Sequence, residues 1–296
     1  MRPLSAPVPP RPCRTLLALF CLAAARSAGA APIDEAQELY KAKRYAEAQA
    51  AFEAIAAAEP TNAGAAYHLG ELALMRNDPE TAVKWLEKAT QLDSRSELYV
   101  QALGDAYGVA AQQAGLFSKL GLARKCGAAY ARAVALDPDN VEARYALFTF
   151  YRQAPAIAGG GHDKARAEAL EIQKRDAVRG TLALVELSVA ENDYDAAFAS
   201  LDVLRQAHPE SLDAAYQMGR TAAMCGKRLE DGAAALKEYL AHPPSEEQAP
   251  LWGAHWRLGQ IYQKQGDRAA ARAEFEAALK LNPTQPQLLK AMQGLQ

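Results

Sequence analysis

The sequence predicts an all-α protein assembled from repeated pairs of helices, and three observations support this fold class. Alanine, the strongest helix former, is conspicuously abundant in the chain of 296 residues. Apolar residues fall at helical spacing in one segment after another, and the pattern recurs at an interval of 34 residues. A hydrophobic content of 50% and a charged content of 23% are ordinary for a protein with a packed core.

The first thirty residues predict a secretory leader. They hold four arginines and no acidic residue, and the apolar run Thr15–Ala25 precedes small residues with a cleavage-like site near Ala28–Ala30. The run is about half of the ~20 residues that a membrane span needs, which disfavours the alternative of an uncleaved anchor. We therefore expect residues 1–30 to be a signal peptide, and the mature chain to be exported to the periplasm without an integral membrane span.

The repeat is clearest near the C-terminus, in Trp256–Pro283. Apolar and small residues fall at helical spacing there on both sides of Gly266-Asp267, which predicts a helix, a tight turn and a second helix. The pattern recurs from Ala48 to Ala82, 34 residues apart, and in other segments. Such self-similarity is typical of a helical solenoid.

This segment resembles the tetratricopeptide repeat family, whose pattern it matches at Leu258, Gly259, Tyr262, Gly266, Ala271, Phe275, Ala278 and Pro283. The resemblance implies a right-handed solenoid of about seven helix-turn-helix units, closed by a polar capping helix over 284–296 that covers the last apolar face. The expected units are 33–62, 63–96, 97–140, 141–179, 180–211, 212–252 and 253–283. The chain also looks similar to exported bacterial members of this family that have no assigned activity.

The third unit departs from the period. Its second-helix residues Tyr130, Ala133 and Pro138 come ten residues late, relative to the other units. We expect the extra residues, around Ala111–Gly121, to lengthen one or both helices of this unit.

The fourth unit carries an insertion, Ala154–Ala165, that reads APAIAGGGHDKA. A phosphate-binding loop would follow a buried strand and end in a lysine followed by a hydroxyl residue, and neither feature is present. We predict an interhelical loop in which Pro155 ends one helix, Gly159–Gly161 relax the turn, and His162 or Asp163 caps the next helix. Anion binding at that helix N-terminus is the alternative.

No residue pattern predicts catalysis, a metal site or a cofactor. The histidines lack metal-ligand spacing, no nucleophile motif is present, and the pair Glu246-Glu247 falls in a polar loop. The mature chain keeps Cys126 and Cys225, which the repeat register places in different units as free thiols, Cys126 as a buried small hydrophobe. A net charge of −2 provides no basic field for nucleic acid.

The architecture predicts a binding surface instead. Stacked helix pairs present a concave groove that the first helix of each unit lines. One groove column is predicted to contain Tyr67, Gln101, Tyr145, Leu182, Tyr216 and Trp256. The next turn is predicted to contain Glu71, Asp105, Thr149, Glu186, Arg220 and Gln260. Aromatic rings backed by acidic and polar groups suit the docking of a peptide, and the alternative is that some rings pack between neighbouring units.

Together these features favour a non-catalytic scaffold of the cell envelope that binds a protein or peptide in its groove, leaving the oligomeric state open. The family's clamp for chaperone tails uses lysine and asparagine at these columns, and this chain has neither there, so that function is not expected. The alternative is a ligand-binding protein or enzyme with a site near the long third and fourth units.

Overall fold

A computed structural model describes residues 33–242 and 248–294, without the side chain of Leu116. The predicted signal peptide, residues 1–30, and the pair Glu246-Glu247 lie outside the described residues. Within the described ranges the chain forms fifteen α-helices and no strand, which confirms the all-α class. The helices are α1 Ile33–Lys41, α2 Tyr45–Ala58, α3 Ala63–Met75, α4 Pro79–Leu92, α5 Glu97–Gln113, α6 Leu116–Leu136, α7 Val141–Gln153, α8 His162–Gln173, α9 Ala177–Ala190, α10 Tyr194–Ala207, α11 Leu212–Cys225, α12 Leu229–Leu240, α13 Leu251–Gln265, α14 Arg268–Leu281 and α15 Pro286–Gln293.

The chain divides into two compact units, residues 1–60 and 61–296. In the first unit α1 packs against α2, with Ala36 and Phe52 fully buried. In the second unit each helix from α3 to α15 packs against the next. Its odd-numbered helices also contact one another, α3 with α5, α7 with α9, α9 with α11 and α11 with α13. The second unit is therefore a stack of helix pairs, as expected of a helical solenoid.

Side-chain caps mark where the first helix begins in five of the helix pairs of the second unit. At the starts of α3, α5, α7, α9 and α11, a side-chain oxygen accepts a hydrogen bond from a backbone N–H three residues later. Each such cap stabilises its helix by about 1 kcal/mol. The capping residues are Asn62, Ser96, Asn140, Asp176 and Ser211.

Within a pair, a glycine of the first helix admits a large side chain of the second. A Cβ atom at Gly259 would lie 2.5 Å from Cε1 of Phe275, closer than atoms can approach. The ring of Phe275 is fully buried and forms a core cluster with Leu288 of α15. The final helix thus covers the apolar face of α14, as the sequence predicts.

The pair α5–α6 is longer than the others, at 17 and 21 residues. The extra residues around Ala111–Gly121 extend both helices, because α5 runs to Gln113 and α6 begins at Leu116. This confirms the predicted lengthening of the third unit.

The insertion Ala154–Ala165 forms a short 3-10 turn, Ala156–Ala158, followed by three glycines. Gly159 has a φ of 100°, and a Cβ atom at Gly160 would lie 1.9 Å from the carbonyl oxygen of Ala154, so the turn requires glycine.

The predicted cap of the helix that follows is wrong. α8 already begins at His162, so His162 and Asp163 lie in its first turn, and the backbone of Gly161 takes the cap position with no side-chain bond. The imidazole Nδ1 of His162 instead lies 3.3 Å from a carboxylate oxygen of Glu191. Lys164 closes the loop by donating to the carbonyl of Gly159 at 2.9 Å.

Candidate functional site

A cavity of about 770 Å³ opens between α7, α9 and α11 in the second unit. We call it the α7–α11 cavity. Its lining comes from α7, from α9 and the residue before it, from α11, and from the stretch that precedes α13. The lining residues are Glu142, Tyr145, Asp176, Val178, Arg179, Leu182, Glu186, Asp213, Tyr216, Gln217, Gln248 and Ala249.

Helical periodicity explains why these side chains share one surface. On α9 the lining residues Val178, Leu182 and Glu186 are spaced four apart, so they form one stripe along the helix. The cavity wall next to α13 is held by Tyr239, a fully buried residue of α12 whose hydroxyl donates to the carbonyl of Ala249. The cavity is therefore built on packed helices.

A tyrosine and a glutamate form the polar wall of the α7–α11 cavity. The hydroxyl of Tyr145 donates to Oε1 of Glu186 at 2.8 Å, and Arg152 lies 3.3 Å from the other oxygen of that carboxylate. Burial, together with the charge of Glu186, raises the pKa of Tyr145 well above its usual range. The phenol thus stays protonated and keeps its donor role at any physiological pH.

The lining is acidic overall and apolar in part. It contains four carboxylates and one guanidinium, that of Arg179. This guanidinium lies 4.7 Å from the ring centroid of Tyr145 and forms paired hydrogen bonds to Glu142. A ligand would meet an aromatic and aliphatic surface rimmed by negative charge.

The structure places four of the predicted groove residues in the lining of this cavity, Tyr145, Leu182, Glu186 and Tyr216. Thr149 lies half-buried on α7, one turn after Tyr145. The other predicted residues lie on two other parts of the second unit. Tyr67 and Glu71 are on α3, Gln101 and Asp105 on α5, Arg220 on α11, and Trp256 and Gln260 on α13.

Tyr67 has little surface to offer a partner. Only 8% of it is exposed, its ring stacks on that of Tyr99 with centroids 5.0 Å apart, and both belong to one core cluster. At this position the structure shows packing between neighbouring helix pairs. Glu71 and Gln101 remain half-buried.

Asp105 belongs to a half-buried polar cluster between α5 and α6. Its carboxylate accepts a hydrogen bond from the hydroxyl of Tyr130 at 2.6 Å, and burial raises its pKa to about 6. Cys126 lies beside them, buried in the core cluster of these helices, and burial raises the pKa of its thiol to about 12. In this cluster the phenol of Tyr130 interacts with both the carboxyl of Asp105 and the thiol of Cys126.

Two arginines, Arg220 of α11 and Arg257 of α13, lie next to the predicted residues Trp256 and Gln260. The guanidinium of Arg257 lies 4.3 Å from the ring centroid of Trp256 and donates to Oε1 of Gln260 at 2.9 Å. Arg220 donates to Oε1 of Gln217 at 3.0 Å. We call Arg220 and Arg257 the arginine pair.

Sequence reasoning missed Arg179 and Arg257. Arg179 falls before the predicted start of its unit at Gly180, whereas α9 begins at Ala177. Arg257 directly follows the column residue Trp256, and a column drawn at one residue per unit omits such a neighbour. A wider stripe around each column position would have found both.

Among the described residues, no group of three or more histidine, cysteine, aspartate or glutamate side chains is arranged to hold a metal ion. In the same part of the chain, no helix has the length and apolarity needed to cross a membrane.

Comparison with known proteins supports the repeat. Models of the tetratricopeptide repeat family match residues 33–97 and 252–285. No curated protein matches the chain by sequence.

Several solved structures share the fold at low sequence identity. A tetratricopeptide repeat protein from Parabacteroides merdae superposes with a TM-score of 0.68 at 16% identity, covering 89% of this chain and 96% of its own. Yeast Tom70 gives a TM-score of 0.63 at 14% identity over 86% of this chain and 51% of its own. PilW, described as a widely conserved type IV pilus biogenesis factor, gives 0.56 at 17% identity over 78% of this chain and 98% of its own.

Proteins built from this repeat generally mediate protein–protein interactions and are generally not catalytic. Residues 33–97 and 252–285 thus match tetratricopeptide repeats in sequence, and the stacked helix pairs give the chain the fold of that family.

Proposed function

We propose that this chain is a non-catalytic scaffold that binds an extended segment of a partner protein in the α7–α11 cavity. The observation that carries the proposal is the cavity itself. Its volume of about 770 Å³ holds several side chains of a peptide, and it lies on the first helices of three consecutive pairs.

The lining suits a peptide better than a compact polar molecule. The aromatic rings of Tyr145 and Tyr216 and the aliphatic side chains of Val178 and Leu182 offer apolar contact area. Half-buried tyrosines supply such area at low cost in side-chain entropy, which is why they are frequent anchors in protein interfaces. The carboxylates and amides around them can bond to the backbone of an extended segment.

The proposed cellular setting is the envelope, because the first thirty residues carry the pattern of a secretory leader. N-terminal sequencing of the protein purified from its native host tests this part of the proposal. Cleavage near Ala30 is the expected result, whereas an intact Met1 in a cytosolic fraction would refute export.

The binding proposal is tested by comparing Tyr216→Ala with Tyr194→Ala. Both tyrosines are half-buried on helices of the same stack, but Tyr194 begins α10 and is absent from the cavity lining. Each protein is immobilised and exposed to a cell-envelope extract, and recovered proteins are quantified by mass spectrometry. Tyr216→Ala should weaken binding of the partner by about 1–3 kcal/mol, a loss of at least roughly fivefold in affinity.

Tyr194→Ala serves as the matched control and should retain the partner. Recovery that is unchanged in Tyr216→Ala, or reduced equally by both variants, would show that the partner does not bind in the cavity. Circular dichroism of both variants verifies that each remains folded.

A further inference from the structure

The arginine pair has an unusual electrostatic setting. Arg220 and Arg257 lie half-buried on α11 and α13, two helices that pack together. Burial lowers the pKa of Arg257, Tyr216 opposes this shift, and the positive charge of Arg220 adds to it. The charge of Arg220 thus acts across two packed helices on a guanidinium that is partly desolvated.

No carboxylate of the described residues compensates this pair. The side-chain oxygens that accept from the two guanidinium groups belong to neutral groups, the amides of Gln217 and Gln260 and the hydroxyl of Tyr216, which bonds to Arg257. Other partly buried arginines of the second unit are paired with acids. Examples are Arg144 with Glu168, Arg152 with Glu186, and Arg205 with Glu238.

One donor of the pair is also unused. The Nε atom of Arg257 is buried and has no hydrogen-bond partner among the described residues. A buried guanidinium nitrogen without a partner costs free energy, and so do two adjacent like charges. An anion bound at the pair would remove both costs at once.

We propose that Arg220 and Arg257 bind an acidic side chain of the partner segment that occupies the α7–α11 cavity. The inference rests on the proposed function, because the arginine pair adjoins the α7–α11 cavity. Gln217, which accepts from Arg220, lines the cavity, and so does Tyr216, whose hydroxyl lies 3.3 Å from where a Cβ of Gly253 on α13 would be.

The chemistry favours a carboxylate at this place. A planar guanidinium presents paired N–H donors that match the two oxygens of a carboxylate, and the resulting charge-assisted bonds are strong. Two of the four carboxylates in the cavity beside it are paired, Glu142 with Arg179 and Glu186 with Arg152, which leaves a net negative lining that favours an acidic residue of the ligand at the arginine pair instead. The pair thereby sets the direction in which the segment lies.

Trp256 provides a signal for the test, because the guanidinium of Arg257 lies against its ring. An acetylated tetraglutamate peptide is titrated into the ¹⁵N-labelled protein, and the indole N–H signals of the three tryptophans are followed by NMR, with acetylated tetra-alanine as the neutral control. Tetraglutamate should shift the signal of Trp256 saturably and leave that of Trp85, on α4, unchanged. Tetra-alanine should shift neither.

The variants Arg220→Gln and Arg257→Gln should each weaken tetraglutamate binding at least tenfold. Arg268→Gln, which removes an exposed arginine of α14, makes the same charge change and should leave the affinity within twofold. Without peptide, Arg220→Gln should raise the Tm by about 2–4 °C, because it relieves like-charge repulsion. A merely structural arginine would lower the Tm when replaced.

The inference is overturned if tetraglutamate leaves Trp256 unperturbed, or if Arg220→Gln binds it as tightly as the wild type. The extract experiment separates this failure from that of the proposed function. A partner lost by Tyr216→Ala but kept by Arg220→Gln refutes the arginine pair alone, whereas a partner kept by both variants refutes the cavity as the binding place. Loss of the partner in both variants supports the two proposals together.

Discussion

Replacing Asp105 by asparagine should stabilise the protein at neutral pH and lose this effect in acid. Asp105 is half-buried beside Tyr130. Its partial desolvation raises its pKa from 3.8 to about 6, against the hydrogen bond from that hydroxyl and with a smaller contribution from the charge of Glu71. The ionised carboxylate is therefore less favourable in the folded than in the unfolded chain. A difference of about 2 pKa units corresponds to about 3 kcal/mol.

The direction of the pH dependence follows from the raised pKa. The stability that the protonated Asp105 contributes is fully present below about pH 3.8 and is lost as the pH rises to about 6. An asparagine accepts the same bond from Tyr130 and carries no charge at any pH. We expect Asp105→Asn to raise the free energy of unfolding by about 2–3 kcal/mol at pH 7 and by almost nothing at pH 4.

His68 acts in the opposite direction over nearly the same range. Burial lowers its pKa from 6.5 to about 4, so the stability that its neutral form contributes is present above pH 6.5 and is lost as the pH falls towards 4. Because the ring of His68 is partly exposed to solvent, we assign its neutral form a contribution of about 2 kcal/mol to the free energy of unfolding. In the wild type, the opposite pH dependences that Asp105 and His68 give to the free energy of unfolding nearly cancel. The variant His68→Gln should be more stable than the wild type only in acid.

Urea unfolding followed by circular dichroism at pH 4, 5, 6 and 7 measures both differences. Glu276→Gln, an exposed acid on α14, is the control and should show a difference near zero at each pH. A difference for Asp105→Asn that does not vary with pH, or a variant less stable than the wild type at pH 7, would refute the reasoning.

Three further results are expected. Phe275→Ala should lower the free energy of unfolding by about 3–5 kcal/mol, because the ring of Phe275 is fully buried. Trp256→Ala should lower it by less than half as much. Equal losses in urea unfolding would identify Trp256 as a core residue. In the native protein, iodoacetamide should modify the half-buried Cys225 before Cys126, whose thiol pKa burial raises to about 12; equal rates by mass spectrometry would contradict this order. Gly160→Ala should lower the Tm, since its Cβ has no room beside a backbone carbonyl, and an unchanged Tm would show that the loop adapts freely.

Much of the fold could be read from the sequence because the repeat puts the same packing relation into every unit. Gly259 and Phe275 meet across one helix pair, and a period of 34 residues predicts the equivalent contacts elsewhere. Five helix starts carry a local signal for their caps, Asn, Ser or Asp before an apolar helix. The cap of α8 has no such signal, because it depends on how closely Gly160 approaches the backbone of Ala154.

For the candidate site, the sequence could predict only which positions of each repeat share one surface. Helical spacing brought Tyr145 and Tyr216 to one surface, but it could not tell how deeply each ring would be buried. Tyr67 occupies the same register and is covered because Tyr99 of the next pair stacks on it. The proximity of Arg220 to Arg257 depends on side-chain directions across two helices, which no spacing within one helix encodes.

The capped helix starts have a kinetic consequence. Each capping bond closes over only three residues, and the main helix contacts of the second unit join first or second neighbours in the chain. Little loop-closure entropy is lost before such contacts form, so folding can begin in any pair and spread to the next. Local opening can likewise begin in a single pair and travel to its neighbours one pair at a time.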